Sequence, residues 1–312
     1  MLESKAAALA ASPAGTAMAY PLLVFTMACW GGNSVAGRLA VGQVSPMVIT
    51  SLRWGLVSLA LAVVTGRQLL LFRGELVRHW RRIAFMAASG FSMFNALFYV
   101  AAHHTTAVNI SLLQASVPVL VVIGAVLLHR TRISAVQIAG IATTLVGVAV
   151  IATHGDLAHL AALQLNFGDG LMLIASGLYA GYTLALRQRL KMPNLVFFTA
   201  LAMFAFLTSL PLLAYEWATG TEQWPTPNGW AVVAFITVFP SFAAQMAFMR
   251  AVQLIGPARA GLFANLVPVL GALMAVVILG ESFSAYHLIA LVLVLAGIVT
   301  AELGRRSERP AG

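Results

Sequence analysis

Val117-Pro118-Val119-Leu120 and Val267-Pro268-Val269-Leu270 are the same four residues, and the chain repeats itself around them. At that shift of about 150 residues Ala125-Val126 meets Ala275-Val276, Ser134-Ala135 meets Ser284-Ala285, and Gly147 meets Gly297. A nearly equal shift lays Trp30-Gly31-Gly32-Asn33 on Tyr179-Ala180-Gly181-Tyr182 and Arg38 on Arg187, while Asn95 and Phe98 fall on Gln245 and Phe248. Apolar stretches share Leu, Val and Ala by composition alone, but shared Pro, Gly and amide positions in register need another cause. Self-similarity at a fixed period outranks local signals, so the chain reads as two copies of one unit.

The solvent of that unit follows from composition. Of 312 residues 61% are hydrophobic and only 9% charged, with a mean hydropathy of +0.92, whereas soluble domains carry roughly 25% charged residues. The expectation is an all-α integral membrane protein. Apolar runs of about 20 residues between breakers give ten transmembrane helices, at Ala17 to Gly37, Met47 to Gly66, Ile83 to His103, Ala107 to Leu128, Ala135 to Thr153, Gly170 to Leu186, Leu195 to Tyr215, Gly229 to Arg250, Pro257 to Leu279 and Ala285 to Leu303. This total depends on splitting two short intervals, His103 to Ala107 and Ala251 to Pro257. Residues 17–153 and 170–303 then form two five-helix repeats, with 1–16 and 304–312 as termini. An odd number of spans per copy inserts the second copy upside down, making an inverted pair. No room is left for a large soluble catalytic domain.

Charge orients the bundle. The net +9 comes from 18 Lys and Arg against 9 Asp and Glu, an excess that in a membrane protein marks cytoplasmic loops rather than a nucleic-acid partner. With the N-terminus inside, the basic loops hold Arg67 to Arg82, Arg130 and Arg132, Arg187 to Lys191, Arg250 and Arg259, and the tail holds Arg305, Arg306 and Arg309. Only Arg38 and Arg53 fall on the other side, where Asp156, Asp169, Glu216, Glu222 and Glu281 also lie. Both termini are expected in the cytoplasm and the first span is expected to stay as an uncleaved anchor in a bacterial-type inner membrane. The single cysteine, Cys29, allows no intramolecular disulfide.

The chain resembles the ten-helix EamA-type branch of the drug/metabolite transporter superfamily. The likeness covers nearly the whole length. It is carried by Trp30-Gly31-Gly32-Asn33, Ser51-Leu52-Arg53-Trp54, Ala96-Leu97-Phe98-Tyr99 with Thr106-Ala107, Leu266-Val267-Pro268-Val269 and Leu279-Gly280-Glu281. The first-half counterpart of the last motif, His129-Arg130-Thr131, departs from it, so the halves need not gate alike. As a whole the sequence is most similar to YddG-type amino-acid exporters, a resemblance that implies export of small solutes.

Read from the residues, no Ser/His/Asp or Cys/His set and no membrane-embedded pair of carboxylates is present, so neither catalysis nor a metal site is expected. His103 and His104 are adjacent and point apart on a helix. What remains are polar and aromatic side chains at helical spacing inside apolar spans. Trp30 with Asn33, Tyr179 with Tyr182, and Asn95 with Tyr99 each share a helix face. Ser111, Gln114 and Pro118 form a stripe in the fourth span, answered by Gly261, Ala264, Asn265 and Pro268 in the ninth, and Gln245 matches Asn95. Singly, each amide serves as well for a helix-to-helix hydrogen bond; as a symmetric set they outline a central cavity. Arg38 and Arg53 are candidates for pairing a solute carboxylate or for snorkelling to phosphates. Gly90, Pro118, Pro240 and Pro268 are candidate hinges, Pro118 and Pro268 each freeing a backbone carbonyl.

Aromatic rings with neutral amides suit a small amphipathic solute. The expectation is a secondary transporter exporting amino acids, apolar and aromatic ones foremost, by alternating access and without a cofactor. A drug or organic-cation exporter is the alternative within transport, and a non-transporting scaffold or receptor the alternative outside it. The absence of a mid-membrane Asp or Glu argues against carboxylate coupling, leaving facilitated movement or coupling through His103, His104 or His287, and no GxxxxGK[ST] loop is present to use ATP.

Overall fold

The computed structural model describes residues 13–130, 134–156, 166–186, 190–255, 260 and 263–307, and every regular element among them is helical. Helix α1 spans Pro13–Ala40 and α2 spans Pro46–Leu71. A short α3, Arg73–Arg78, leads into a rod built from α4, Trp80–Ala87, a π-helical segment, Ala88–Ser92, and α5, Met93–Ala101. The next rod joins α6, Ala107–Leu113, through a 3-10 turn, Gln114–Ser116, to α7, Val117–His129. The first half ends with α8, Ala135–Ala152.

In the second half α9 spans Phe167–Ala185 and α10 spans Asn194–Ala218. A rod follows of α11, Pro227–Ile236, a π-helical segment, Thr237–Ala243, and α12, Ala244–Ile255. A 3-10 turn, Phe263–Asn265, then runs into α13, Leu266–Leu279, and α14 covers Ala285–Ser307.

Among the described residues five rods are long and apolar enough on their own to cross a membrane: Pro46–Leu71, Trp80–Ala101, Ala107–Leu128, Asn194–Ala218 and Pro227–Ile255. Ala135–Ile151, Phe263–Leu279 and Ala285–Ala301 are shorter apolar helices, while α1 and α9 fill the first and sixth expected intervals. The helices overrun several expected ends. α2 continues five residues beyond Gly66 because Gln68-Leu69-Leu70-Leu71 offers no breaker. The split after His103 is made by turn residues and by Thr106, whose side chain accepts from Asn109 N to start α6. The expected start of the ninth span at Pro257, and Gly261 in its stripe, lie outside the described residues.

The irregular turns recur in both halves at the repeat shift. Gly90 lies in the first π segment and Pro240, its counterpart, in the second. Proline has no N–H and its ring crowds the preceding turn, so it widens or breaks a helix. Ser241 answers part of that disruption, its hydroxyl donating to Ile236 O at 2.6 Å. The two 3-10 turns stand just before Pro118 and Pro268. The carbonyl that Pro118 was expected to leave free, that of Gln114, instead accepts from Val117 N within the tightened turn.

Each of the tightest packings joins a helix of one half to a helix of the other: α8 with α14, α2 with α10, and α1 with both α13 and α12. Small residues make this possible, as they do widely between membrane helices. A β-carbon built on Gly297 would stand 2.6 Å from Gly140 O, and one on Gly31 would stand 2.7 Å from Gly271 N.

The turns after α1, α5, α10 and α13 lie at one end of the molecule, where polar groups tie the halves together. Glu216, closing α10, accepts from Ser45 Oγ at 2.6 Å, from Met47 N at 3.3 Å and from Val48 N at 3.2 Å. Glu281 does the same for α6, accepting from Ala107 N and Val108 N at 3.0 Å each. Both carboxylates thus satisfy N–H groups that a helix start leaves unpaired and lie at its positive pole. Nearby, buried Asp169 accepts from Thr105 Oγ1 at 2.5 Å and from Asn109 Nδ2 at 3.3 Å. His287 Nδ1 accepts from Ser284 N at 3.0 Å, which leaves Nε2 as the donor to Asn109 Oδ1 at 3.2 Å.

Candidate functional site

The π segments around Gly90 and Pro240 and the 3-10 turns before Pro118 and Pro268 open onto one space. Gly90 and Phe91, Gln114 and Ala115, Pro240 and Ser241, and Ala264 and Asn265 line a cavity of about 210 Å³ between the halves. Pockets that take drug-sized ligands run to roughly 300–1,000 Å³, so this one is scaled to a small solute. π and 3-10 turns shift side chains out of the regular helical register, and here they bring Gln114, Asn265 and Ser241 to the wall of the same volume.

Aromatic rings form one large part of the wall. Trp30, Trp54, Phe91, Phe94, Tyr179 and Phe198 line it, with ring pairs such as Trp54–Phe91 at 4.8 Å and Phe94–Tyr179 at 5.2 Å between centroids. The indole of Trp30 is fixed by its Nε1–H donating to Pro240 O at 3.1 Å, which uses the carbonyl of the residue at the π segment. The amide groups are Asn33, Asn95, Gln114, Gln245 and Asn265. Gln114 Nε2 donates to Ser34 Oγ at 3.2 Å, and Asn95 Nδ2 donates to Phe91 O at 2.6 Å.

Among the described residues one charge stands in this wall. Arg53 is only 6% exposed, its Nε donates to Ser241 Oγ at 2.6 Å, and its Nη1 donates to Tyr99 Oη at 2.8 Å, Asn95 Oδ1 at 3.0 Å and Asn33 Oδ1 at 3.1 Å. The guanidinium also lies over the Trp54 ring, 5.2 Å from its centroid. No carboxylate among the described residues stands within ion-pair distance of it. This corrects the snorkelling reading of Arg53, because α2 turns that side chain into the protein instead of toward headgroups.

The structure brings together Trp30, Asn33, Arg53, Asn95, Tyr179, Gln245, Asn265 and Gln114 with Gly90, Pro118, Pro240 and Pro268. Four expected residues stand elsewhere. Tyr99 lies behind the wall, holding Arg53. Tyr182 packs edge-on against Phe91 at 5.1 Å. Ser111 is buried against Gly271 and has no hydrogen-bond partner. Arg38 donates to Ala102 O and lies 3.9 Å from Glu281, at the tied end.

Residues that sequence reasoning passed over include Trp54, Phe91, Phe94, Phe198 and Ser241. Ser241 was within reach, since it follows Pro240 and a hydroxyl beside a proline is placed to answer the helix break. An aromatic ring in an apolar span gives no such signal.

Comparison with known proteins follows from this geometry. The profile described as the EamA-like transporter family matches residues 17–153 and again 166–301. The uncharacterized transporter YyaM of Bacillus subtilis is 24% identical over 272 residues, 87% of this chain and 89% of that one. A protein of Streptantibioticus cattleyicolor named as a probable terminal-alkyne amino-acid exporter is 27% identical over 293 residues, 92% of this chain and 95% of its own. A crystal structure overlays with a TM-score of 0.63 at 20% identity, covering 93% of this chain and 99% of the other, a likeness of fold.

Proposed function

The chain belongs to the EamA-like transporter family, and on that premise we propose that it is a ten-span secondary transporter exporting small amphipathic metabolites, chiefly amino acids with apolar or aromatic side chains. The observation that carries the substrate class is the composition of the cavity: among the described residues it has aromatic rings, neutral amides and a single cation, with no acidic side chain lining it. Rings and amides orient a small solute that is apolar at one end and polar at the other. The Streptantibioticus relative named for amino-acid export supports the same class. An organic cation would meet Arg53 with no carboxylate to offset it, which disfavours a cation exporter.

In this reading the two five-span halves insert in opposite orientations, the termini face the cytoplasm of a bacterial-type inner membrane, and the tied end faces outward. Solute passes by alternating access, with Pro118 and Pro268 as paired gate elements beside their 3-10 turns. The test is flux from proteoliposomes loaded with labelled amino acids. Flux above empty vesicles for aromatic and branched ones supports the proposal, and none for any member sinks it.

A further inference from the structure

A buried guanidinium normally has a carboxylate beside it, because removing a charge from water is costly unless an opposite charge offsets it. Arg53 has only neutral acceptors. Tyr99, Asn33, Asn95 and Ser241 occupy its Nε and Nη1 hydrogens, and these come from both halves. No hydrogen bond from Nη2 reaches any described residue, while the side chain borders the cavity. The protein therefore fixes this fork rigidly on one edge and leaves the other edge facing the solute space.

We propose that Arg53 is an anion anchor whose missing counter-charge is supplied by the solute, so that a carboxylate is the obligatory feature of what the cavity binds. The inference rests on the cavity being the solute site, as proposed above, and it sharpens the class. No acidic group among the described residues lines the cavity, so an α-ammonium meets amide oxygens such as those of Gln245 and Asn265. A neutral acceptor holds an ammonium less firmly than a charged one. The carboxylate is then required and the amino group dispensable. Apolar and aromatic carboxylic acids without an amino group belong to the same substrate class as the amino acids, and amines without a carboxylate are excluded.

The test uses the full-length purified protein and four aromatic probes that differ only in polar groups: phenylalanine, 3-phenylpropionate, phenylalaninamide and phenethylamine. Binding is followed by tryptophan fluorescence, which Trp30 and Trp54 in the cavity wall make sensitive. The two carboxylates are expected to bind at least about tenfold more tightly than the amide and the amine, the factor a charge-assisted hydrogen bond provides. Equal binding of acid and amide, or no binding of either acid, overturns the anchor. In Arg53→Gln the ratio of acid to amide should fall to about one, whereas Arg53→Lys should keep a preference as a point charge with weaker binding. A preserved ratio in folded Arg53→Gln overturns the assignment, and if that variant does not fold the wild-type series decides. Carboxylate-dependent binding without flux would keep the anchor and reject the transporter, while flux indifferent to the carboxylate would do the reverse.

Discussion

Glu281 in the second half holds the first backbone N–H of α6 in the first, its Oε1 standing 3.0 Å from Ala107 N. The bond joins the end of α13 to the start of α6, and on the proposed alternating access these two part when this end opens, so its contribution weights closed against open. Removing the carboxylate should shift that equilibrium by at least about 1 kcal/mol, or roughly fivefold. Ala107 is fully buried and its β-carbon takes no part in the bond, so Ala107→Cys in a Cys29→Ser background reports on opening. Glu281→Ala should speed thiol labelling there at least about fivefold. Unchanged labelling would mean that the contact does not hold this end shut.

Packing between α8 and α14 gives a second prediction. A β-carbon on Gly297 would stand 2.3 Å from Thr144 Oγ1 and 2.6 Å from Gly140 O, and a backbone atom cannot yield as a side-chain end can. Gly297→Val should lower stability by roughly 1–3 kcal/mol, as overpacking does. Gly181→Ala, where a β-carbon meets nothing within 4 Å, is the matched comparison and should leave thermal unfolding in detergent unchanged or slightly improved. Similar melting losses in both would contradict the close-contact account.

Trp30 and Trp80 separate a cavity role from a general need for tryptophan. Trp30 lines the cavity and Trp80 is 51% exposed, away from it. Trp30→Ala should weaken apparent affinity about three- to tenfold, the scale of an aromatic contact, and reorder the preferred substrates. Trp80→Ala should leave transport per folded molecule alone. Equal defects in two well-folded variants would remove Trp30 from the solute pathway.

Orientation is testable without a substrate. Reporter fusions at the C-terminus and within the Thr219 to Asn228 loop should give opposite signals, because an odd number of spans separates them under the proposed topology. Matching signals would show that a span has been miscounted.

How far the sequence reveals this molecule varies with the kind of feature. Composition was enough for an apolar helical protein, and the Val-Pro-Val-Leu repeat located the turns at Pro118 and Pro268. Helical spacing found the cavity face, but spacing cannot tell the wall from the layer behind it: Asn95 and Tyr99 share a face, and only Asn95 reaches the cavity. For Arg53 the sequence left a carboxylate contact and snorkelling both open, because chain position gives a depth and not a direction; the turn of α2 and the acceptors on α5 and the second π segment draw it inward. Glu216 and Asp169 registered only as loop charges, and Glu281 as a loop charge within a family motif, since their partners lie at least 60 residues away in the chain. Phe91 and Phe198 carried no mark, because a ring facing lipid and a ring facing a cavity look alike in an apolar string.

The closest seams of this protein, α8 on α14 and α1 on α13, run between the halves rather than within them. Where glycine lets two backbones touch, no side chain is available to repack, so such a pair can only stay together or come apart. The segment that was duplicated is therefore not the segment that moves. On the proposed alternating access the bodies that rock are then mixed, each joined from helices of both copies, and a chain cut between residues 153 and 166 would separate the partners of these seams.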